Sequence, residues 1–516
     1  MQTASEYLYR TGRPIGDRSV LPGLILMGTT VLVTLVVLLA INGAFEDYPF
    51  LFLVPWLIGL GLLMAAPSVY LRYKGKFSFA DPLVFATWSY FFPAFVVGGI
   101  FFAAGWAQPA HSYLIQDASY NLPLTVGIIG LAFAGLAAGY FVPFAEKLGG
   151  KITNLLPSAD YKPSSFAFPG LFLLALGVMN TILAFALGLF GFQKVEEINS
   201  YDGLIYLTTL YWMQASFLLW FVIFRQKKFN IAYVPVVALL LGTSLSKALF
   251  AGNRGSILGI VTIVALSYIL SGRQFKLKHG AVAAVVLTVG ILLGMIYGTT
   301  FRQVKGTESV QDIGQYTDNI FHTFDQIGRY DTTESLKFGF SSLAERVDVL
   351  SVVAVVVSNY EQLLPYEEAY GLNDNIWVDL TTFMIPRVIW TDKPSASDPR
   401  KFSDLYFNYG ETSYGITPVG DLLRNYGLPG VFLGMFVLGF ILKAIYKALI
   451  NEKTPSVWRS TLYFMLLLSV SYEGFYGTII PSIVKVGITA TVGLLIVTLM
   501  AKKIHQSIAA TELEYR

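Results

Sequence analysis

The chain has 516 residues, of which 54% are hydrophobic and 13% charged. Soluble domains carry about 25% charged residues, so this composition, with a mean hydropathy of +0.59, excludes an ordinary soluble protein and predicts an all-α polytopic membrane protein. The absence of cysteine excludes disulfides, thiolate catalysis and Cys-ligated metals, and the net charge of +3 matters less than its distribution along the chain.

A membrane span needs about 20 mostly apolar residues. About twelve such runs occur, near 22–42, 50–70, 80–104, 122–144, 168–191, 204–224, 231–250, 256–271, 280–299, 428–446, 460–479 and 482–501. The first follows Arg10, Arg13 and Arg18 and is too long for a signal-peptide core, so it reads as a retained span. Lys and Arg concentrate in cytoplasmic loops. Placing both termini in the cytoplasm gives inner segments with about 22 basic and about 7 acidic residues, including Arg72, Lys147, Arg225, Arg273, Lys447 and Lys502. The alternate loops carry Glu46, Asp47, Asp117, Glu196, Glu197 and Asp202. The inner loop from Lys147 to Ser165, with Pro157 and Pro163, reads as a hinge between two bundles of spans.

This topology divides the chain into an N-terminal transmembrane bundle (1–299), a large external loop (300–427) and C-terminal transmembrane helices (428–516). The loop holds about 10 basic and about 18 acidic residues, which argues against a nucleic-acid surface. Two apolar patches within it, Val349–Val357 and Ile376–Trp390, suit short helices that are buried in protein or dip partway into the membrane.

The external cations include Lys247, Arg254, Arg302, Arg329, Arg346, Arg387, Lys393, Arg400 and Arg424. Arginine grips phosphate oxygens through a planar fork, and several arginines facing one outer cavity suggest a diphosphate or carboxylate ligand. Against this stands pairing with local acids, Arg346 with Glu345 or Asp348 and Arg424 with Asp421. Candidate bases are Asp348, Asp379, Glu411, Asp421 and Glu473, because an attacking sugar hydroxyl must pass its proton to a positioned carboxylate. Glu473 could equally partner an arginine. Trp377, Trp390, Tyr406, Tyr409 and Tyr414 could stack on sugar faces or form an interfacial belt. The four histidines lack metal-ligand spacing, the outer segment has no Asp-x-Asp, and there is no Walker-type phosphate loop. External chemistry without nucleotide calls for a substrate already activated in the membrane, and a polyprenyl-diphosphate-linked glycan fits.

The runs Glu345-Arg346-Val347-Asp348, Ile385-Pro386-Arg387-Val388-Ile389-Trp390 with Lys393-Pro394, and Gly420-Asp421 with Asn425-Tyr426-Gly427, together with Asn253-Arg254-Gly255-Ser256, resemble the oligosaccharide repeat-unit polymerases, the Wzy-type O-antigen and exopolysaccharide polymerases. The resemblance covers roughly Arg254 to Gly439. The family often has Glu where this chain has Asp421, and Thr391 replaces a common Pro. The resemblance implies a GT-C-like glycosyltransferase architecture in the bacterial inner membrane, with a periplasmic catalytic loop and no metal or other cofactor. It implies polyprenyl-diphosphate-linked oligosaccharides as substrates, with a chain-length regulator and a flippase as partners. Arg254, Arg346 and Arg387 would face the diphosphate with help from Lys393, and Asp421 or Glu411 would act as base. Arg302, Arg424, Asp348, Trp390 and Tyr409 would bind the diphosphate or the glycan.

Two other readings compete. An O-antigen ligase differs only in its acceptor. A polysaccharide flippase or transporter requires ionisable residues near the midplane of interrupted spans, whereas polar content here gathers in one outer loop.

Overall fold

The computed structural model describes residues 50–156, 161–187, 201–226, 230–251, 254–273, 313–329, 332–394, 397–410, 413–450 and 456–514, with Leu189 and isolated positions between 290 and 304. Among these residues every regular element is a helix. We label them α1 (Val54–Tyr73), α2 (Pro82–Ala103), α3 (Ala118–Phe141), α4 (Pro143–Leu155), α5 (Ala167–Ala186), α6 (Asp202–Arg225), α7 (Val234–Ala251) and α8 (Arg254–Leu270). The second half adds α9 (Ile313–Arg329), α10 (Thr332–Val347), α11 (Leu350–Tyr370), α12 (Asn375–Thr382), α13 (Pro399–Phe407), α14 (Thr417–Ile450), α15 (Val457–Leu468) and α16 (Ile479–Glu514).

Eight helices among the described residues are long and apolar enough to cross a membrane: those built on α1, α2, α3, α5, α6, α7, α14 and α16. The apolar parts of α8 and α15 are shorter. The expected span near 22–42 and most of that near 280–299 lie outside the described residues. The run near 460–479 is helical only to Leu468, because Ser469–Phe475 leaves the helix and forms a turn before α16. This is a helical membrane protein with eight such spans described, against about twelve expected.

Among the described residues two large apolar cores form, beside smaller clusters. The first joins α1, α2, α3, the start of α11, α13, most of α14 and residues 470–483. The second joins α5, α6, α7, α8, α15, α16 and the last turn of α14. Leu156 at the end of α4, Tyr161 and Phe166 pack on the second core, and Pro157 of the expected hinge lies outside the described residues. In the first core α3 and α14 cross backbone to backbone. Gly135 and Gly139 of α3 lie against the carbonyls of Phe432 and Phe436, and Gly439 of α14 against that of Leu136. Small residues spaced by four permit this approach.

The short connections sort to the two ends of the bundle. At one end Lys447 pairs with Glu146 at 3.0 Å, and Arg459 donates to the carbonyls of Thr153 and Leu156. At the other, Asn359 of α11 donates to Leu114 O at 3.0 Å, and His111 Nε2 lies 3.0 Å from Ser351 Oγ. The Val349–Val357 patch forms the start of α11, where Leu350 to Val357 are all buried in protein. The Ile376–Trp390 patch behaves differently: α12 ends at Thr382, and Met384–Trp390 is largely exposed.

Candidate functional site

Helix α14 has two parts. At Gly427 (φ 63°, ψ −161°) the backbone leaves helical geometry in a way open to glycine alone. The preceding polar head begins at Thr417, whose φ of 62° is rare for a β-branched residue. Thr417 N donates to Glu473 O at 3.3 Å, and its Oγ1 accepts from Gly420 N, so the head is pinned to the turn before α16.

Asp421 and Arg424 are three residues apart and share one helical face. Arg424 Nη2 and Nε donate to Asp421 Oδ1 at 2.8 and 3.1 Å. Nη1 donates to Glu367 Oε2 at 2.8 Å and Leu372 O at 3.0 Å, while Nη2 also reaches Asn375 Oδ1 at 2.7 Å. A guanidinium has five N–H donors, and these five bonds occupy them. Tyr406 OH donates to Glu367 Oε1 at 2.7 Å. Burial raises the Glu367 carboxyl above its ordinary range, and Arg424 beside it pulls the other way. Asp421 also accepts from Asn375, Asn425 and Gly477 N. The side chains of Arg424 and Asp421 are both 0% exposed, so this network is an internal brace that fixes α11, α12 and the head of α14 together.

A polar path leads outward from it. Asn375 Nδ2 donates to Ser397 Oγ at 2.9 Å, and Ser397 Oγ donates to Asp379 Oδ2. Asp379 is half-buried, and burial pushes its carboxyl upward while Lys485 and Lys393 pull it down. Lys393, Lys485 and Arg387 lie within electrostatic reach of one another. Burial, then the neighbouring Lys485 and Arg387, depress the Lys393 ammonium. Lys393 Nζ also donates to Ile385 O at 3.1 Å, closing the 385–393 strip into a loop. Gly477 holds this arrangement against the start of α16, since a Cβ there would stand 3.0 Å from Ile376 Cα and 3.1 Å from Asp379 Oδ2. Lys393 and Lys485 thus flank the Asp379 carboxylate, with Arg387 within reach of both lysines and Asp421 within reach of Asp379.

The other expected residues are distributed as follows. Arg346 pairs at 3.1 Å with Glu473, both largely exposed, rather than with Glu345 or Asp348. Asp348 is buried, accepts from Ser351 N at 3.1 Å, leaves Oδ2 without a partner, and is pushed by burial to about 7. Trp390 and Tyr409 are exposed. Arg254 begins α8, but its side chain, like Arg302 and Glu411, lies outside the described residues. The structure therefore brings together Arg387 and Lys393, and separately Asp421 and Arg424. Sequence reasoning missed Lys485, although a lone lysine in an apolar span is itself a functional signal. It also missed Glu367 and Asn375, which nothing local distinguishes.

Among the described residues no group of three or more His, Asp or Glu is placed to hold a metal ion. A groove of about 420 Å³ between α1 and α3, lined by residues such as Trp56, Gly59, Leu63 and Val126, carries no charged side chain.

Fold and site together define a helical membrane protein with a buried ionic brace beside a half-exposed cationic cluster. Residues 171–451, over half of the chain, match the family described as a domain of unknown function, DUF8712, and the chain belongs to that family. No curated protein and no solved structure matches it.

Proposed function

We propose that this protein is a membrane glycosyltransferase that polymerises polyprenyl-diphosphate-linked oligosaccharide repeat units into O-antigen, capsule or exopolysaccharide on the external face of the bacterial inner membrane. The observation that carries the reading is the cationic excess beside Asp379, where Lys393 and Lys485 act on the carboxylate, Arg387 lies within reach of both lysines, and the nearby Asp421 is already paired with Arg424. A lipid-borne diphosphate would balance that excess. In the reaction an acceptor hydroxyl oxygen attacks the anomeric carbon of the donor, the bond from that carbon to the diphosphate breaks, and the diphosphate leaves with the electron pair. The three cations stabilise the departing charge.

Asp379 takes the hydroxyl proton in this scheme. It replaces Asp421, whose oxygens already accept from Arg424, Asn375, Asn425 and Gly477. Asp421 and Arg424 are positioning residues that hold α12.

The test is incubation of the purified protein in nanodiscs with lipid-linked repeat units. A ladder of lengthening glycans, lost in Arg387→Ala and Asp379→Asn, supports the reading. Transfer to lipid A instead makes the protein a ligase, and translocation without new glycosidic bonds makes it a transporter; either result overturns the polymerase.

A further inference from the structure

We infer that the loop Met384–Trp390 is a membrane-seated lip, inserted into the headgroup–acyl boundary of the phospholipid bilayer although it belongs to no spanning helix. Met384, Ile385, Val388, Ile389 and Trp390 are all exposed, with Ile389 78% exposed, and Trp377 of α12 adds a further exposed ring. A loop facing water does not gather this much apolar surface without a partner.

The position of the lip follows from the seat of α12. That helix packs on the turn at Gly477, where the span Tyr476–Gln506 begins, and its Asp379 lies within electrostatic reach of Lys485, nine positions into the span. Helix α12 and the loop that follows it therefore start beside the first turns of a spanning helix.

The composition selects lipid as the occupant. From Leu380 to Thr391 the chain has one cation, Arg387, and no acid. Tryptophan and arginine among aliphatic residues are the types that settle at the bilayer interface. The exposed end of α11, by contrast, carries Glu361 and Glu368. The lip does not depend on the transfer reaction, so its test reads position alone.

The chain has no cysteine, so single-cysteine variants need no background removal. Ile389→Cys, Met384→Cys, Glu368→Cys and Leu495→Cys are each spin-labelled in nanodiscs of phosphatidylcholine and phosphatidylglycerol. All four positions are exposed, so the substitutions leave the packing intact. Accessibility to oxygen relative to a water-soluble nickel chelate is then measured. The expected result is a ratio at positions 389 and 384 nearer that at 495, on the lipid-facing side of α16, than that at 368. A ratio nearer that at 368 places the loop in water and overturns the inference. Protection from both reagents places it against a second copy or another protein, and overturns it equally.

Discussion

Arg424 Nη1 and Glu367 Oε2 lie 2.8 Å apart with side chains 0% and 2% exposed, joining residues 57 positions apart in the chain. Removing one member of a buried pair strands the other charge, at a cost of about 3–5 kcal/mol. Glu367→Ala leaves Arg424 with Asp421 as its remaining anion, so stability should fall by about the lower end of that range in a detergent melting experiment. Arg424→Lys should also be destabilised, since an ammonium has three donors in place of five. Unchanged melting in both variants would show that the brace does not hold the head of α14.

Asp348 should make stability fall with rising pH. Its carboxyl is pushed from an ordinary 3.8 to about 7 by burial, so between about pH 4 and pH 7 the folded chain holds a proton that the unfolded chain has released. Stability then declines across that window as pH rises, by on the order of 4 kcal/mol in full. Asp348→Asn keeps an acceptor for Ser351 N but cannot ionise. It should melt higher than the parent at pH 8 and flatten the slope between pH 4 and 7, as thermal unfolding at a series of pH values will show.

Gly139 admits no side chain where α3 meets the Phe436 carbonyl of α14. Because the obstruction is backbone, the helices must separate. Gly139→Ala should cost about 1–3 kcal/mol, and Gly139→Leu should prevent stable insertion. Gly127, on the same helix with nothing near its Cβ position, provides the control. Equal melting temperatures for Gly139→Ala and Gly127→Ala would rule out the close crossing.

Lys485 should govern anion affinity. A hydrogen bond to a charged group contributes about 1.5–3 kcal/mol, so Lys485→Met should weaken binding of a short isoprenyl diphosphate by roughly tenfold to a hundredfold. Lys485→Arg should retain most of it. Competition binding in micelles measures both, and Lys485→Met with unaltered affinity would remove this residue from the site.

The legible parts of this molecule were those written in local pattern. Long apolar runs announced α1 to α3 and α5 to α7, and a spacing of three announced the Asp421–Arg424 pair. What stayed hidden depends on long-range packing. Lys485 meets Asp379 only because Gly477 presses α12 onto the start of α16. Glu367 looks like one more surface acid until Tyr406 and Arg424 converge on it. The valine-rich start of α11 and the Met384–Trp390 loop are both apolar patches of the 300–427 segment, yet the first is buried and the second exposed.

The break at Gly427 divides α14 into two segments of different direction, yet their registers are tied. Inserting one residue after Gly430 would turn the long apolar segment by about 100°, carrying Phe432, Phe436 and Gly439 off their seats on α3 and Gly434 off Leu422 of the head. The ionic brace and the close helix crossing are thus bound to one spacing along the chain, although a kink stands between them.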